Sequence, residues 1–420
     1  MELISTRLKL AGLVLLTVAV AACTENLDNS SGCPLLCVDQ QAGLETVTLD
    51  AVTFDSTVSA LTGRGSEMSL LLATRGDSID SRAIIRFDSI PARYLKSGTD
   101  TTSFDITAVD SALLHLRVDT VGGKIPDQVT LDFYDVNSDA ADTLVAPIAA
   151  LFVPSRLIGS QTYARADLKD SITFSVPPAA IIAHKGGPMR LGIRARATTS
   201  VQLKLRSTEY GGGPTSLTYR VSPDTLVAKV VLSPYSKTPA DQPNLALSLA
   251  DYTLLVKGTA NGPPTGLNIG GLPARRVYMR FNIPKFITDS VDIVRASLLL
   301  TQIPNTQIDP NDTVFVVAHV VLATDVVTDI TKASQITAEA NLDTLKAHPG
   351  GSGVVPLEVA QIVSLWRSTN ATTTPRALVL LSAQEGESPL EARFFSLEGT
   401  PAQKPKLRIT YSTRKSKGLP

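Results

Sequence analysis

The 420-residue chain is poor in several residue types: it has three cysteines, four histidines and one tryptophan, and only 5% of it is aromatic. So few cysteines exclude a disulfide-stapled scaffold and a cluster of structural zinc sites. So few aromatic rings argue against a broad stacking surface. An excess of one charge is also missing, because 39 Lys and Arg balance 39 Asp and Glu. Nucleic-acid-binding proteins are usually basic, so we expect no nucleic-acid partner.

Common catalytic motifs are missing as well. The sequence has no G-x-S-x-G elbow, no H-E-x-x-H zinc motif, no Walker A loop and no G-x-G-x-x-G fingerprint. The four histidines lie inside apolar runs or beside Gly and Pro, where a structural role is usual. We therefore expect a protein that is not an enzyme and that uses no cofactor and no metal. A hydrolase with two spatially paired carboxylates is the less favoured alternative, because such pairing cannot be read from sequence.

The N-terminus has the pattern of a secretory signal. Arg7 and Lys9 come before an apolar run of 13 residues, Leu10–Ala22. A membrane-spanning helix needs about 20 residues, so this run is too short to span. The run ends in Val20-Ala21-Ala22-Cys23, which resembles a bacterial lipobox. This predicts a lipoprotein signal peptide at residues 1–22, cleavage before Cys23, and acyl chains such as palmitate on Cys23.

The predicted lipid would anchor the protein to a membrane by burying its methylene groups. Thr24 follows the lipidated cysteine where an Asp would signal retention in the inner membrane. We therefore favour the outer membrane, with the protein facing the periplasm or the cell surface. The alternative is an ordinary secretory signal that is cleaved nearby, with Cys23 incidental.

Residues 23–43 are rich in Asn, Ser, Gly and Asp, which predicts a short tether. Cys33 and Cys37 lie within it, separated by three residues. A redox pair normally has two intervening residues, and a zinc site needs two more ligands. We therefore interpret the two cysteines as a small disulfide formed outside the cytoplasm. A metal-binding or redox pair is the alternative.

Two internal repeats make up the rest of the chain. The segment 81–88 recurs at 275–282, and the segment 111–116 recurs at 295–300. Ser-Thr-Glu at 207–209 is matched by Ser-Leu-Glu at 396–398, so the order is the same in both copies. A shared order over several segments indicates duplication. We predict two homologous domains at 44–232 and 233–414, joined by a Pro-rich stretch, and a tail at 415–420.

Both repeats have the patterns of β-strands. Val201–Arg206 and Leu407–Tyr411 alternate apolar and polar residues, and turn residues separate such runs. Many short strands in domains of this size predict an all-β protein with two tandem jelly-roll-like β-sandwich domains after the lipoprotein signal peptide. One exception is Glu358–Arg367, which has the pattern of a short helix. We expect Trp366 to anchor the core, and a ligand-stacking role is the alternative.

The repeated segments carry a family resemblance. Arg86-Phe87-Asp88 is followed by Ser111–Leu116, and the C-terminal part contains Ala392–Glu398 and then Lys404–Tyr411. These motifs resemble the DNRLRE, or disaggregatase-related, domain, which overlaps a family of carbohydrate-binding modules. The resemblance implies an extracellular β-sandwich and a ligand among acidic, alginate-type polysaccharides. It transfers no binding residue to this chain.

The repeated strand supplies the candidate ligand-binding residues. Side chains alternate between faces along a strand, so one face is expected to be core: Ala83, Ile85, Phe87, Val277, Met279 and Phe281. The opposite face carries the candidate binding residues Arg82, Arg86, Arg276, Tyr278 and Arg280. Arginine binds a carboxylate through two parallel hydrogen bonds, so this strip would grip an acidic glycan, with the tyrosine as a platform. The alternative is that the arginines form structural ion pairs, as Arg86–Glu209 and Arg280–Glu398.

Asp135–Asp139 has the D-x-N-x-D spacing that can offer oxygens to calcium. Ala140 and Ala146 stand where an EF-hand-type loop would have Gly and Glu, so we interpret the segment as a polar turn. Taken together, the sequence predicts a non-catalytic, lipid-anchored envelope protein that binds extracellular polysaccharide through its tandem domains, which would gain avidity. The alternative is a structural or assembly protein of the cell envelope that binds another protein.

Overall fold

A computed structural model describes residues 44–413 except 60–64, 66, 97–101, 143, 212, 214, 223–228, 238–248, 261, 264, 307–308, 310, 323–336 and 369–374. The predicted signal peptide, Cys23, Cys33, Cys37, the tether and the tail at 415–420 lie outside the described residues. Within the described residues, no helix is long and apolar enough to cross a membrane. The protein is all-β, as the alternating patterns predicted, with large antiparallel sheets arranged as sandwiches.

The strands form two groups. The strands of the first half of the chain are β1 (Leu44–Leu49), β2 (Val52–Ser59), β3 (Ser69–Arg75), β4 (Ile79–Phe87), β5 (Arg93–Leu95), β6 (Ser103–Asp105), β7 (Ala108–Lys124), β8 (Gln128–Asp135), β9 (Leu157–Ala164), β10 (Ser171–Val176), β11 (Met189–Arg196), β12 (Val201–Arg206), β13 (Ser216–Ser222) and β14 (Val230–Leu232). Those of the second half are β15 (Asp251–Lys257), β16 (Gly266–Gly270), β17 (Arg275–Phe281), β18 (Val291–Gln302), β19 (Val314–Val321), β20 (Thr337–Ala347), β21 (Gly353–Glu358), β22 (Ala377–Ser382), β23 (Glu391–Phe395) and β24 (Lys406–Thr413). Short α-helices span Val145–Ala149, Pro178–Ala183, Lys285–Asp289 and Ala360–Ser368.

The first sandwich has the strand order β14-β13-β7-β12-β3-β4-β11-β8-β9, with β10 on β7 and β15 on β4. The long strand β7 joins its two layers, because its first part pairs with β10 and β13 and its last part pairs with β12. The core lies between the layers. It contains Ala83, Ile85 and Phe87, which confirms the predicted core face of the repeated strand.

The second sandwich has the order β1-β24-β18-β23-β16-β17-β22-β19-β20, with β2 on β17 and β21 on β18. Its core contains Val277, Met279 and Phe281, again as predicted. Trp366 lies on the helix Ala360–Ser368 and is 1% exposed. Its ring centroid is 5.1 Å from that of Phe281. The interpretation of this tryptophan as a core anchor is therefore confirmed.

The strand pairing crosses the boundary predicted from the repeats, 44–232 and 233–414. Strand β2, which opens the first repeat, pairs with β17 of the second. Strand β15, which opens the second repeat, pairs with β4 of the first. Strand β1 follows the same rule, because it lies beside β24 of the second repeat, whereas β14 stays beside β13 of its own repeat. The first sandwich is thus continuous from β3 to β15, whereas the second is completed by residues 44–59.

Buried and half-buried ion pairs join the two sandwiches. Lys204 of β12 is 3% exposed, and its Nζ lies 3.0 Å from Asp119 Oδ2 and 3.1 Å from Glu387 Oε2. Lys124 Nζ of β7 lies 2.5 Å from Asp309 Oδ2. Glu387 and Asp309 come from the second sandwich, so these contacts fix one sandwich against the other.

Candidate binding site

The arginine strip of the first repeat is neutralised by its own neighbours. Arg82 Nη2 lies 2.6 Å from Asp80 Oδ2, and the residue is only 7% exposed. Arg86 Nη2 lies 2.6 Å from Asp88 Oδ2, and its Nη1 donates to Asp142. Each guanidinium already has carboxylate partners, so neither is available for a ligand carboxylate.

The second repeat follows the same rule. Arg276 contacts Glu385 with two nitrogens, at 2.8 Å from Nε to Oε1 and 2.5 Å from Nη2 to Oε2. Tyr278 is 1% exposed, so its ring cannot act as a platform for a sugar. The Arg280 Nε is buried and has no hydrogen-bond partner within the part of the chain that is described. Three arginines of the strip are therefore paired with acids and its tyrosine is buried, whereas Arg280 is half-buried.

The proposed ion pair Arg86–Glu209 was wrong, because Arg86 pairs with Asp88 and Asp142 instead. The other proposed pair, Arg280–Glu398, is not among the ion pairs of the described residues. The two glutamates close the recurrent Ser-x-Glu segments, and these segments bind a different acid. The Thr208 N–H donates to Asp251 Oδ2 at 2.9 Å, and the Leu397 N–H donates to Asp55 Oδ2 at 2.8 Å. In both segments the serine Oγ accepts from the glutamate N–H at 3.2 Å.

These contacts define two equivalent arrangements. The first Asp clasp is Asp251 with Ser207–Glu209, and the second Asp clasp is Asp55 with Ser396–Glu398. Asp251 lies opposite Ile85 in the pairing of β15 with β4. Asp55 lies opposite Met279 in the pairing of β2 with β17. Since Ile85 and Met279 are matching positions of the repeated strand, the two aspartates occupy the same place in the two sandwiches.

The two clasp carboxyls share a perturbed acidity. Burial raises the pKa of Asp55 and of Asp251 from 3.8 to about 6, because desolvation disfavours the charged form. The backbone N–H bond that each accepts opposes this effect. Nearby carboxylates raise the pKa further, from Glu67 and Glu209 around Asp251 and from Glu398 beside Asp55. Both groups therefore titrate near pH 6.

The two clasps differ in their access to solvent. Asp251 is 1% exposed, so the first Asp clasp is sealed. Asp55 is half-buried and lines a cavity of about 400 Å³, here called the Asp55 cavity. Its polar lining includes Asp55, Ser56, Ser59, Asn268, Ser396 and Glu398. The Asp clasp is thus sealed in the first sandwich, whereas in the second sandwich its aspartate lines a polar cavity.

Asn268 is the other distinctive residue of the cavity wall. Its backbone N–H donates to Thr57 Oγ1 at 3.0 Å, just as the Leu71 N–H donates to Thr253 Oγ1 at 3.0 Å in the first sandwich. The position that is leucine in the first sandwich is therefore asparagine in the second. Asn268 is 7% exposed, and its Oδ1 has no hydrogen-bond partner among the described residues. Leaving a buried polar atom unpaired costs about 1–3 kcal/mol, so this oxygen is a candidate to accept from a ligand.

Asn268 can approach Gly262 closely because that residue has no side chain. A Cβ on Gly262, which also lines the cavity, would lie 2.1 Å from Asn268 Oδ1. The one arginine of the lining, Arg275, is already engaged: its Nη1 donates to Glu391 and its Nη2 donates to the Thr259 carbonyl at 2.9 Å. The groups that face the cavity are therefore mainly acceptors and hydroxyls.

Two further cavities carry less chemistry. One of about 360 Å³ lies between the sandwiches. Lys124, Asp309 and Asp312 line it, and these three charged side chains pair with one another. Another of about 580 Å³ lies beside Gln128, and its Arg196 donates to Asp132.

The D-x-N-x-D segment behaves as a turn. Asp135 Oδ1 accepts from the Asn137 N–H at 2.9 Å, and its Oδ2 lies 3.2 Å from His184 Nε2. The Asp135 carboxylate raises the pKa of His184 through this hydrogen bond. In the described part of the chain, no group of three or more His, Cys, Asp or Glu side chains could hold a metal ion.

Comparison with known proteins gives no family. No family model and no curated protein matches the chain. A structure of a "putative secreted protein" from Parabacteroides distasonis ATCC 8503 is 10% identical, covers 88% of this chain and 100% of its own, and has a TM-score of 0.21. The C-terminal domain of the Streptococcus pyogenes antigen I/II-family protein AspA is 8% identical, covers 83% and 92%, and has a TM-score of 0.18. Similarity at this level carries no functional argument, so the function must be argued from the site.

Proposed function

We propose that this protein is a non-catalytic, lipid-anchored protein of the cell envelope that binds extracellular polysaccharide, and that a sugar residue occupies the Asp55 cavity. The observation that carries the proposal is the chemistry of this cavity. Its volume of about 400 Å³ falls within the usual range for small-ligand pockets, roughly 300–1,000 Å³. Its hydroxyl, amide and carboxyl groups are the partners that sugar hydroxyls need.

Comparison of the two sandwiches supports the same proposal. The position of Asn268 is filled in the first sandwich by Leu71, which is fully buried among apolar residues. A buried acceptor without a partner is costly, and a ligand hydroxyl or amine would remove that cost. The second sandwich thus has the features of a binding domain, and the first has those of a support.

The cellular setting comes from the N-terminal sequence. The lipobox-like segment ending at Cys23 supports acylation, and Thr24 in place of an Asp supports the outer membrane. The partners of the protein would then be the membrane, through its lipid, and a polysaccharide of the envelope or its surroundings. The resemblance of the repeated motifs to the DNRLRE domain agrees with this setting.

Binding of the full-length protein, purified in detergent, to an array of polysaccharides tests the proposal. We expect binding to at least one polymer, and we expect Asn268→Leu to abolish it, because this substitution installs the residue of the first sandwich. Asp251→Asn changes the sealed clasp and should leave binding intact. Absence of binding to every polymer would refute the proposal, as would full binding by the Asn268→Leu variant.

A second candidate function is the assembly of envelope proteins. Within the described residues, β14 is the last strand at one edge of the first sandwich, and its Val231 is 61% exposed. Tyr235, which follows in the chain, is 55% exposed. An edge strand with exposed apolar side chains is a surface to which another protein can add a strand. Crosslinking from position 231 in intact cells, with identification of the captured protein by mass spectrometry, distinguishes this function from glycan binding.

A further inference from the structure

The Asp55 cavity has more hydrogen-bond acceptors than available donors. Asp55 and Glu398 contribute carboxyl groups, and Asn268 contributes an unpaired amide oxygen. The guanidinium of Arg275 is held by Glu391 and by the Thr259 carbonyl. A ligand that fits this arrangement must bring donors, and a positively charged ligand brings the strongest ones.

We propose that the Asp55 cavity selects a sugar that carries a protonated amino group, so that the polysaccharide is one containing unacetylated amino sugars. This inference rests on the proposed function and specifies its ligand. Asp55 pairs with the ammonium group, and Asn268 Oδ1 accepts from the same group or from a neighbouring hydroxyl. The Ser56 and Ser59 hydroxyls of the lining bind the remaining hydroxyls of the sugar.

The charges around the cavity favour a positively charged ligand over an acidic one. A ligand carboxylate or sulfate in the cavity would face the carboxyl groups of Asp55 and Glu398. The nearby guanidinium of Arg275 already pairs with Glu391, a carboxylate that it shares with Arg393. Lys404 also acts on Asp55, and its charge lowers the pKa of that carboxyl, but desolvation outweighs it. An ammonium group instead neutralises the acidic side of the cavity.

Acetylation of the amine should weaken binding for the same reason. An acetamido group has no charge and one N–H, whereas an ammonium group has a full charge and three N–H donors. Charge-assisted hydrogen bonds are roughly twice as strong as neutral ones. We therefore expect the free amine to be preferred over its N-acetyl derivative and over a neutral sugar.

The acidity of Asp55 makes this binding depend on pH. The group titrates near pH 6, so it is mostly protonated at pH 5 and mostly ionised at pH 7. The amine remains protonated across the lower part of this range. Affinity should therefore rise from pH 5 to pH 6, where the carboxylate becomes available and the amine is still protonated. Glu398 and Lys404 are the charged groups that act on Asp55, where the first raises and the second lowers the pKa of its carboxyl, and neither pairs with the ligand in this scheme.

Calorimetry on the full-length protein in detergent tests the inference. The probes are β-1,4-linked oligomers of equal length, made of glucosamine, N-acetylglucosamine, glucose or a uronic acid. At pH 6, where the amine is protonated and the carboxylate is partly ionised, we expect the glucosamine oligomer to bind at least tenfold more tightly than each of the other three. Asp55→Asn should weaken this binding at least tenfold and remove its rise between pH 5 and pH 6. Asp251→Asn, the matched change in the sealed clasp, should leave both unchanged.

The outcomes separate the inference from the proposed function. If the neutral, acetylated or acidic oligomer binds as tightly as glucosamine and Asn268→Leu abolishes that binding, the cavity binds sugars but amine selectivity is refuted. If glucosamine binds equally well to Asp55→Asn, the ammonium site lies elsewhere and the inference is refuted. If no oligomer and no polysaccharide binds, both fail. Thermal unfolding of each variant checks folding, and Asn268→Leu provides the second test if Asp55→Asn does not fold.

Discussion

Asp55 and Asp251 occupy the same place in two sandwiches, although each is carried by a strand that opens the other repeat. Asp55 holds the Leu397 N–H at 2.8 Å, and Asp251 holds the Thr208 N–H at 2.9 Å. Each clasp therefore closes only when the exchanged strand is in position. The clasps thus depend on the strand pairing across the repeat boundary, so variants of the two aspartates test that pairing.

The pH dependence of stability should change in Asp251→Asn. Burial raises the pKa of Asp251 in the folded chain to about 6, above the ordinary 3.8. The protonated Asp251 carboxyl therefore makes its full contribution to the free energy of unfolding below about pH 3.8. This contribution is lost as the pH rises through about 6 and the carboxyl ionises. A pKa difference of about 2 corresponds to at most about 3 kcal/mol. Between pH 4 and pH 7 the variant should gain stability relative to the wild type, measured by urea unfolding. An equal pH slope in both proteins would contradict this.

Fragments should fold according to strand pairing. A fragment of residues 67–260 contains every strand of the first sandwich, including β15, and should unfold cooperatively on its own. A fragment of residues 44–232, cut at the predicted repeat boundary, lacks β15 and carries β1 and β2 without their partners. We expect this second fragment to be unfolded or aggregated. Circular dichroism and thermal unfolding compare the two, and the opposite order of stability would refute the pairing.

Lys204→Met should destabilise the protein strongly. The Lys204 side chain is 3% exposed and pairs with Glu387 and with Asp119, which is itself 6% exposed. Removing one partner of a buried ion pair costs about 3–5 kcal/mol, because the other charge stays buried. Lys124→Met is the matched control, since its side chain is 43% exposed and exposed pairs contribute about 0–1 kcal/mol. Denaturant unfolding measures both variants, and equal effects would contradict the prediction.

Arg276→Ala should lower stability without changing glycan binding. The guanidinium pairs with Glu385 through two hydrogen bonds, and both side chains are largely buried. Loss of a charge-assisted contact of this kind costs about 1–3 kcal/mol. Arg295→Ala is the control, because its pair with Glu358 is exposed and should matter little. A loss of glycan affinity in Arg276→Ala, with stability unchanged, would restore the cationic strip as a binding surface.

Cys23→Ser should release the protein from the membrane. The serine hydroxyl cannot replace the thiol as the acylated group, so the variant would have no lipid anchor. Membrane fractionation and labelling with a palmitate analogue measure the change. Cys33→Ser, a cysteine outside the lipobox-like segment, is the control and should remain anchored. Release of both variants, or of neither, would count against lipidation at Cys23.

Local patterns predicted the core well. The alternation in the repeated strand placed Ile85 and Met279 in the two cores, and both are fully buried. The helix around Trp366 was predicted for the same reason, because periodicity reports burial directly. These patterns could not predict the partner of each strand. Strands β2 and β15 share an Asp-x-Thr sequence, so the sequence of neither strand indicates the sandwich in which it pairs.

The site was harder to predict because its contacts are long-range. Arg86 reaches Asp142, which is 56 positions away in the chain, and the sequence offered no reason to prefer it over Glu209. The recurrence of Asp-x-Thr was a usable signal for Asp55 and Asp251 that the sequence comparison missed. The difference between Leu71 and Asn268 became meaningful only once the strands were aligned by their hydrogen bonds.

The position of β1 and β2 also determines how the protein would carry tension. In the proposed anchored state, the segment after the lipid enters the second sandwich, where the Tyr411 hydroxyl donates to Glu45 at 2.7 Å. Asp55 lies on the very next strand. A pull between the membrane and a glycan held at Asp55 would therefore load only a short stretch of chain, and the first sandwich would stay outside the line of force.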